Sequence, residues 1–369
     1  MQYMKTLVEI YDNEQPLNIL TSFNKKPEKV IFLYDKSQEE MIHNAIVEKY
    51  IDAEVEYILN KDIDIDNLLK EVEDVAIDVH GGNDLIIAKI SQYGKDNHCE
   101  LYYPDIYERK MVVMKDDTSI AEDLKIPKLK VNDVIELYGG SIRNLPEIEY
   151  DDRGREAVNA CMEIKRKNNK RWVSFCKLLS GLSKKYMNAK DWYVDNNTYQ
   201  QYRGIFEELN CIFNISDEKG KKKIGFKDDN YRILVTDTGV PFEYDTYYQL
   251  KDSEYFDDVD IRVNIDWNGA EFNKEDPNSE LDVVATKDSR LISISCKAGK
   301  YDQQAIYEVK ANAEKFGGKL AIPVLCTDLN IRHPELVKKA NEIDVLLVEY
   351  KQMWDKEFVR ELQKWMETH

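Results

Sequence analysis

The six cysteines (Cys99, Cys161, Cys176, Cys211, Cys296, Cys326) include no C-x-x-C pair, so the chain lacks the framework of a structural zinc site. Its five histidines are scattered, and no Ser/His/Asp order of a hydrolytic triad stands out. There is no G-x-G-x-x-G and no Walker lysine, which removes support for dinucleotide or ATP binding. No apolar run reaches membrane-spanning length and no signal peptide is seen. A soluble cytoplasmic protein with reduced cysteines and no membrane partner is therefore expected. Repeats and low-complexity tracts are absent too.

What the chain does have is length and an uneven charge. Its 369 residues suffice for two domains with separate cores. The net charge of −18 argues, taken whole, against a nucleic-acid binder. Its distribution says otherwise. Residues 1–150 hold 17 Lys and Arg against 31 Asp and Glu, and residues 228–369 hold 18 against 29. Residues 153–227 reverse the sign, with 17 against 8. The basic charge clusters in Lys165-Arg-Lys-Asn-Asn-Lys-Arg-Trp172 and Lys219-Gly-Lys-Lys-Lys-Ile-Gly-Phe-Lys227.

The most chemically pointed stretch is Ser279-Glu-Leu-Asp-Val-Val-Ala-Thr followed, across Lys287-Asp-Ser-Arg, by Leu291-Ile-Ser-Ile-Ser-Cys-Lys297. It reads as two strands of a hairpin. Alternation puts Glu280 and Asp282 on one face, and Ser295 with Lys297 likewise. Carboxylates beside an ammonium at a sheet edge suit a metal-dependent phosphodiesterase, which needs Mg²⁺ or Mn²⁺ to acidify a water and neutralise the phosphorane. As an isolated motif it is more often an ordinary hairpin with solvated charges, and its context changes those odds. Upstream, Gly239-Val-Pro-Phe-Glu243 opens a helix with Pro near its start and a carboxylate in its first turns. Downstream a helix from Asp302 stops at Gly317-Gly318, then come a strand at Leu320–Leu325, a helix from about Pro334, a strand at Val345–Tyr350 and a Trp-rich final helix.

In this order of elements, residues 237–369 resemble a PD-(D/E)xK nuclease domain. The resemblance implies Glu243 as the helix carboxylate, Asp282 as the central metal-binding acid and Lys297 as the lysine of the (D/E)xK element. At Ser295 the family more often has Asp or Glu. The implied ligands of a divalent Mn²⁺ or Mg²⁺ are then Glu243, Asp282 and the backbone carbonyl of Cys296, with water. Glu280 is a substitute ligand or a salt-bridge partner, and Glu308 a weaker candidate.

The front of the chain alternates apolar runs (Lys5–Tyr11, Val30–Tyr34, Val55–Ile58, Val75–Val79) with helical patterns (Pro16–Phe23, Glu39–Lys49, Asp66–Val72). That alternation argues for a doubly wound, Rossmann-like parallel sheet, which binds ligands beyond its carboxyl edge. Two loops stand there. Tyr11-Asp-Asn-Glu-Gln-Pro-Leu-Asn18 follows the first strand, and His80-Gly-Gly-Asn-Asp84 follows the fourth and opens a helix over Leu85–Tyr93. Paired glycines at a helix N-terminus expose backbone N–H groups to a phosphate, although tight packing explains most such pairs.

A strand–Gly-Gly–helix with a polar loop after the first strand is similar to the CARF domain, a sensor of cyclic oligoadenylates. The whole chain then resembles the CARF–nuclease effectors of type III CRISPR systems that cyclic tetra-adenylate activates. The resemblance implies Asp12, Asn13, Gln15, Asn18, Gly81, Gly82, Asn83 and Asp84 as ligand-cleft residues, beginning beside Tyr11. The usual pattern has Thr-Lys after the glycines, where this chain has Asn83-Asp84. His80 reads either as a ligand contact or as a structural histidine.

Three segments follow: a sensor over 1–150, a basic helical, winged-helix-like segment over 151–236 and a nuclease over 237–369. The middle predicts helices at Arg153–Lys167, Trp172–Tyr186 and Asn197–Leu209, then a hairpin around Asp228-Asp-Asn230. Its lysine runs read equally as a phosphate-tracking surface or a solvated linker. Trp172, Trp192 and Tyr202 could stack on bases, and for the tryptophans core packing is the favoured reading. The expected protein is a homodimeric, ligand-gated nuclease acting on DNA, with single-stranded RNA as a second substrate class. A nucleic-acid-binding regulator with a degenerate nuclease fold competes with it, kept alive by Ser295. A third reading has the N-terminal cleft hydrolysing the signal itself.

Overall fold

The computed structural model describes residues 5–39, 42, 47–59, 64–143, 148–187, 189–266, 278–328, 334–349, 352–353 and 357–368. The front sheet has seven strands: β1 Thr6–Ile10, β2 Lys29–Tyr34, β3 Glu54–Leu59, β4 Val75–Asp78, β5 Glu100–Asp105, β6 Lys110–Lys115 and β7 Thr118–Asp123. Their order is β3-β2-β1-β4-β5-β6-β7. The first five pair in parallel, while β6 and β7 add an antiparallel edge. β1 lies at the centre and is buried along its whole length, as a strand covered on both faces must be. The four expected strands are present, and β5, β6 and β7 extend the sheet beyond them. The expected helix over Glu39–Lys49 falls mostly outside the described residues; its end, Val47–Tyr50, is a 3₁₀ turn.

The middle segment has helices Asp152–Lys167, Asn169–Tyr186 and Asn196–Glu208, close to the expected spans. Its three-stranded sheet is ordered β10-β11-β9, from β9 Asp191–Val194, β10 Phe213–Glu218 and β11 Lys221–Phe226. The hairpin expected around Asp228-Asp-Asn230 is not there. The chain turns instead at Lys219-Gly220, both at positive φ, inside the lysine run. The Asp228 carboxylate accepts from Asn230 N at 2.9 Å, a bond that starts a helical turn. Arg232–Thr236 continues as helix and buries Leu234 and Val235.

The back sheet is ordered β16-β15-β14-β13-β12-β8. It comprises β8 Ser141–Ile142, β12 Asp258–Asp266, β13 Asn278–Lys287, β14 Arg290–Lys297, β15 Ile322–Thr327 and β16 Leu346–Val348. β13 and β14 form the expected hairpin. Asp288 and Ser289 both take φ near +55 (52° and 59°), which a two-residue turn matched to strand twist requires. β12 was not anticipated. Neither was its neighbour β8, a strand from the front half that pairs Ile142 with Ile265.

Apolar cores run across the segments. One joins Leu7, Tyr11, Val131 and Leu137 of the front half to Val263, Leu291, Phe316 and Leu320 of the back. Another joins the middle helices to the back sheet through Trp172, Phe175, Phe242 and Val324. All six cysteines are free thiols. Among the described residues, no helix is long and apolar enough to cross a membrane.

Candidate active site and sensor cleft

The helix Val240–Asp252 is launched by Asp237, whose carboxylate accepts from Gly239 N at 2.8 Å, and by Pro241. Tyr244, Tyr247, Tyr248 and Leu250 bury one side of it and fix its rotation. Glu243, in the first turn, thereby faces the sheet. Its Oε2 accepts from Arg262 Nη1 of β12 at 2.9 Å. On β13, Asp282 Oδ2 accepts from Cys296 N at 2.7 Å and from the Ser295 hydroxyl at 3.2 Å. Burial pushes the Glu243 carboxyl up to about 7, and the charge of Asp282 adds to this against the pull of Arg262. Burial raises Asp282 as well, opposed by the Cys296 N–H and the Lys297 ammonium.

Two carboxyls that resist ionisation together are what a bound cation would relieve. Lys297, half-buried at the end of β14, completes the group and pairs in register with Thr327. Among the described residues, no three His, Cys, Asp or Glu side chains converge as a ready-made metal site. A small hard cation does not require that, since it keeps waters and takes one or two protein carboxylates. Glu243 and Asp282 with a main-chain oxygen fit such an ion. Glu280 is largely exposed and reaches Arg262 Nη2 at 3.3 Å. Ser295 touches this group through the hydrogen bond of its hydroxyl to Asp282. The Cys296 thiol is buried 3.6 Å from the Thr246 hydroxyl and burial pushes it well up, so it is no thiolate donor. Glu308 is exposed on the helix Gln303–Gly317.

Lys165, read from sequence as part of a basic surface, is buried. Its ammonium pairs with the buried Asp328, just past β15, and donates to Thr238 O at 3.0 Å. Trp172 and Trp192 are fully buried, so the core reading holds for them and stacking on bases does not. Tyr202 is buried too and shares a 2.7 Å hydrogen bond with Ser174. Arg166, Lys170, Arg171, Lys219 and Lys221 are exposed, whereas Lys222 and Lys223 are engaged by Asp217 and Asp191.

At the other end, β1 and β4 are neighbours where the strand order reverses, the place at which open parallel sheets take ligands. The loop after β1 is tied into shape by its own side chains. Asn18 accepts from Asp12 N at 2.7 Å and donates to Asp12 O at 2.9 Å. The Tyr11 hydroxyl donates to Gln15 Oε1 at 2.6 Å, and Gln38 donates to Tyr11 O and Asn13 Oδ1. Tyr11, Gln15 and Asn18 are accordingly buried, while Asp12 and Asn13 reach the surface. After β4, Gly81 and Gly82 take φ of +88° and +74°. A Cβ on Gly81 would meet Ile10 O at 2.7 Å, and one on Gly82 would meet Ile10 Cγ2 at 2.5 Å. Both glycines are thus required by packing, and their loop lies against that of Asp12.

Asn83 caps the next helix by accepting from Leu85 N and Ile86 N, and Asp84 stands exposed beside it. His80 Nδ1 sits 3.6 Å from Asp12 Oδ2, and burial holds its imidazole below the usual value despite that neighbour. Beneath the two loops lies a pair that sequence reasoning missed. Glu9 and Asp78, register partners across β1 and β4, are both buried. Burial pushes Asp78 up to about 7 and Glu9 well up, the latter helped by the Asp78 charge. A charged residue inside each apolar strand was the available signal.

Glu14, in the same loop, was also missed as a site residue. Its Oε2 accepts from Lys319 N at 2.8 Å, Leu320 N at 3.3 Å and the Tyr138 hydroxyl at 3.3 Å. Lys319 and Leu320 follow the helix Gln303–Gly317 and lead into β15, whereas Tyr138 caps the front-half helix Val131–Leu137. Gly318 makes the approach possible: at φ +64°, a Cβ there would meet Glu14 Oε2 at 2.2 Å. The cleft loop and the back sheet are thus joined directly.

Residues 229–365 match the family of Card1-like endonuclease domains. No curated protein matches the chain in sequence. Among solved structures, the protein VC1899 from Vibrio cholerae superposes with a TM-score of 0.75 at 14% identity, over 98% of this chain and 99% of that one. Can2 from Sulfobacillus thermosulfidooxidans, solved in complex with cyclic tetra-adenylate, superposes with a TM-score of 0.72 at 17% identity, again over 98% and 99%. At such identities the likeness speaks for the fold. Residues 229–365 thus match the Card1-like endonuclease domains, within a chain that shares the fold of Can2 over nearly its whole length.

Proposed function

We propose that the protein is a metal-dependent endonuclease, activated by a cyclic oligoadenylate and acting in the cytoplasm in type III CRISPR antiviral defence. The observation that carries this reading is the meeting of Glu243 and Asp282, from a helix and a strand, with both carboxyls raised in pKa beside Lys297. Glu243, Asp282 and the Cys296 carbonyl would hold Mn²⁺ or Mg²⁺. Bound there, the ion supplies an acidified water and a counter-charge for the scissile phosphate. Lys297 orients the attacking water and offsets charge on the phosphate oxygens, leaving 5′-phosphate and 3′-hydroxyl ends. Ser295 is a positioning residue whose hydroxyl, with Cys296 N, fixes Asp282 Oδ2.

The activator in this reading is cyclic tetra-adenylate, the molecule named with Can2. It would lie over the loops after β1 and β4, contacting Asp12, Asn13, His80, Gly82, Asn83 and Asp84. A two-fold ligand fits a homodimer, which presents each loop twice about one axis. Residues 1–150 then sense, 151–236 connect and offer exposed Arg166, Lys170, Lys219 and Lys221 to a phosphate backbone, and 237–369 cut. DNA is the proposed substrate, with single-stranded RNA the second class.

The test is plasmid nicking with Mn²⁺, with and without cyclic tetra-adenylate, beside Asp282→Ala. Ligand-dependent nicking in the wild type alone is expected. Salt-sensitive binding without turnover in any condition would replace this reading with that of a regulator, and metal-dependent cutting retained in Asp282→Ala would sink the site.

A further inference from the structure

Three acids of the candidate metal site, Glu243, Glu280 and Asp282, are near neighbours, yet among the described residues they do not converge as a ligand set. Arg262 stands in the way. Its Nη1 lies 2.9 Å from Glu243 Oε2 and its Nη2 3.3 Å from Glu280 Oε1, so one guanidinium spans a carboxylate from the helix and one from β13. The planar fork with its fixed charge matches that bridging task better than an ammonium would.

The backbone at this residue is the second observation. Arg262 has φ +51° in the middle of β12, between the pairs Ile261↔Val283 and Val263↔Leu281. A left-handed, non-glycine residue within a strand is strained, and such strain gathers at functional sites. Glycine would take this conformation freely, so the chain holds an arginine here against local preference. The register places it across from Asp282, the acid that the guanidinium does not take.

We propose that Arg262 is the resident counter-cation of the metal carboxylates. It holds Glu243 through Oε2 and Glu280 through Oε1, and it competes with a divalent cation for the charge of Glu243 beside Asp282. The inference rests on the metal-dependent reading above. It makes Arg262 a positioning residue that sets the affinity of the site for its ion.

The test measures Mn²⁺ binding at pH 8, from the electron paramagnetic resonance signal of free Mn²⁺, with neither nucleic acid nor cyclic nucleotide present. Full-length wild type is compared with Arg262→Gly, which suits the backbone, Arg262→Gln, which keeps a side chain, and Asp282→Ala. Losing the competing charged hydrogen bond should tighten binding about tenfold or more in both Arg262 variants. Their thermal unfolding without metal checks folding, and Arg262→Gly should melt no lower than Arg262→Gln. Asp282→Ala should lose binding. Binding unchanged in Asp282→Ala, or absent throughout, would overturn the metal-site reading itself. Binding lost in Asp282→Ala but no tighter in either Arg262 variant would overturn this inference and leave the reading standing.

Discussion

Replacing Lys165 by Met should be among the most destabilising single changes in this chain. Lys165 and Asp328 are only 4% and 3% exposed, and they face each other between the helix Asp152–Lys167 and the end of β15. Methionine keeps most of the volume but leaves Asp328 buried without its counter-ion and Thr238 O without its donor. Breaking a buried pair from one side costs about 3–5 kcal/mol. The double variant Lys165→Met with Asp328→Leu removes both charges, and replacing a buried pair by apolar residues is often neutral or better. It should therefore recover most of that loss. Urea unfolding of the four proteins in the cycle, followed by fluorescence, gives the coupling energy. A Lys165→Met cost below about 1 kcal/mol, the range of an exposed pair, would refute the claim that the pair is desolvated. So would a double variant no more stable than the single one.

Other consequences follow from the cleft and the carboxyls. Glu14→Gln weakens the acceptor of Lys319 N and Leu320 N, so ligand-stimulated cutting should fall while cyclic tetra-adenylate binding changes little. Hydrogen exchange at residues 318–320 should quicken, and unchanged exchange with unchanged stimulation would rule the link out. Gly318→Ala places a methyl against Glu14 and Tyr138 at φ +64°, and should cost about 1–3 kcal/mol of stability by urea unfolding. For Glu243, the folded value of about 7 lies above the ordinary 4.5. Between those values the unfolded chain binds fewer protons, so this group makes metal-free stability fall as pH rises from about 4.5 to about 7. Glu243→Gln should remove that slope in unfolding curves at pH 5 and pH 8; an unaltered slope would mean that the carboxyl ionises normally.

The frame of the front sheet was legible because its signals are local. Val30–Tyr34 and Val75–Asp78 are apolar strands between helical patterns, and Gly81-Gly82 marks a turn that tolerates no Cβ. The Asp282 hairpin announced itself by alternation and by its Asp288-Ser289 turn. β12 carried a period-two signal just as clear, with Val259, Ile261, Val263 and Ile265 buried and the polar Asp258, Asp260, Arg262 and Asn264 between them. Asp228-Asp-Asn230 misled because residues that favour turns also start helices. The contacts of Glu14 with Lys319 and of Lys165 with Asp328 lie beyond any window of sequence. Burial of Lys165 in particular depends on a partner 163 positions away, and nothing in a run of lysines marks which one will turn inward.

The pairing of β8 with β12 bears on how such proteins could be rebuilt. A two-residue strand belonging to the front half closes the edge of the back sheet, and Arg143 beside it pairs with the buried Asp266. A nuclease unit cut free at residue 229, where the family match begins, would carry a bare edge strand and a buried aspartate without its arginine. Exchanging front halves between proteins of this fold therefore requires the seam to be moved. Residues 141–143 should travel with the endonuclease-like unit, as a tethered strand or a short fused peptide, rather than with the front sheet that precedes them.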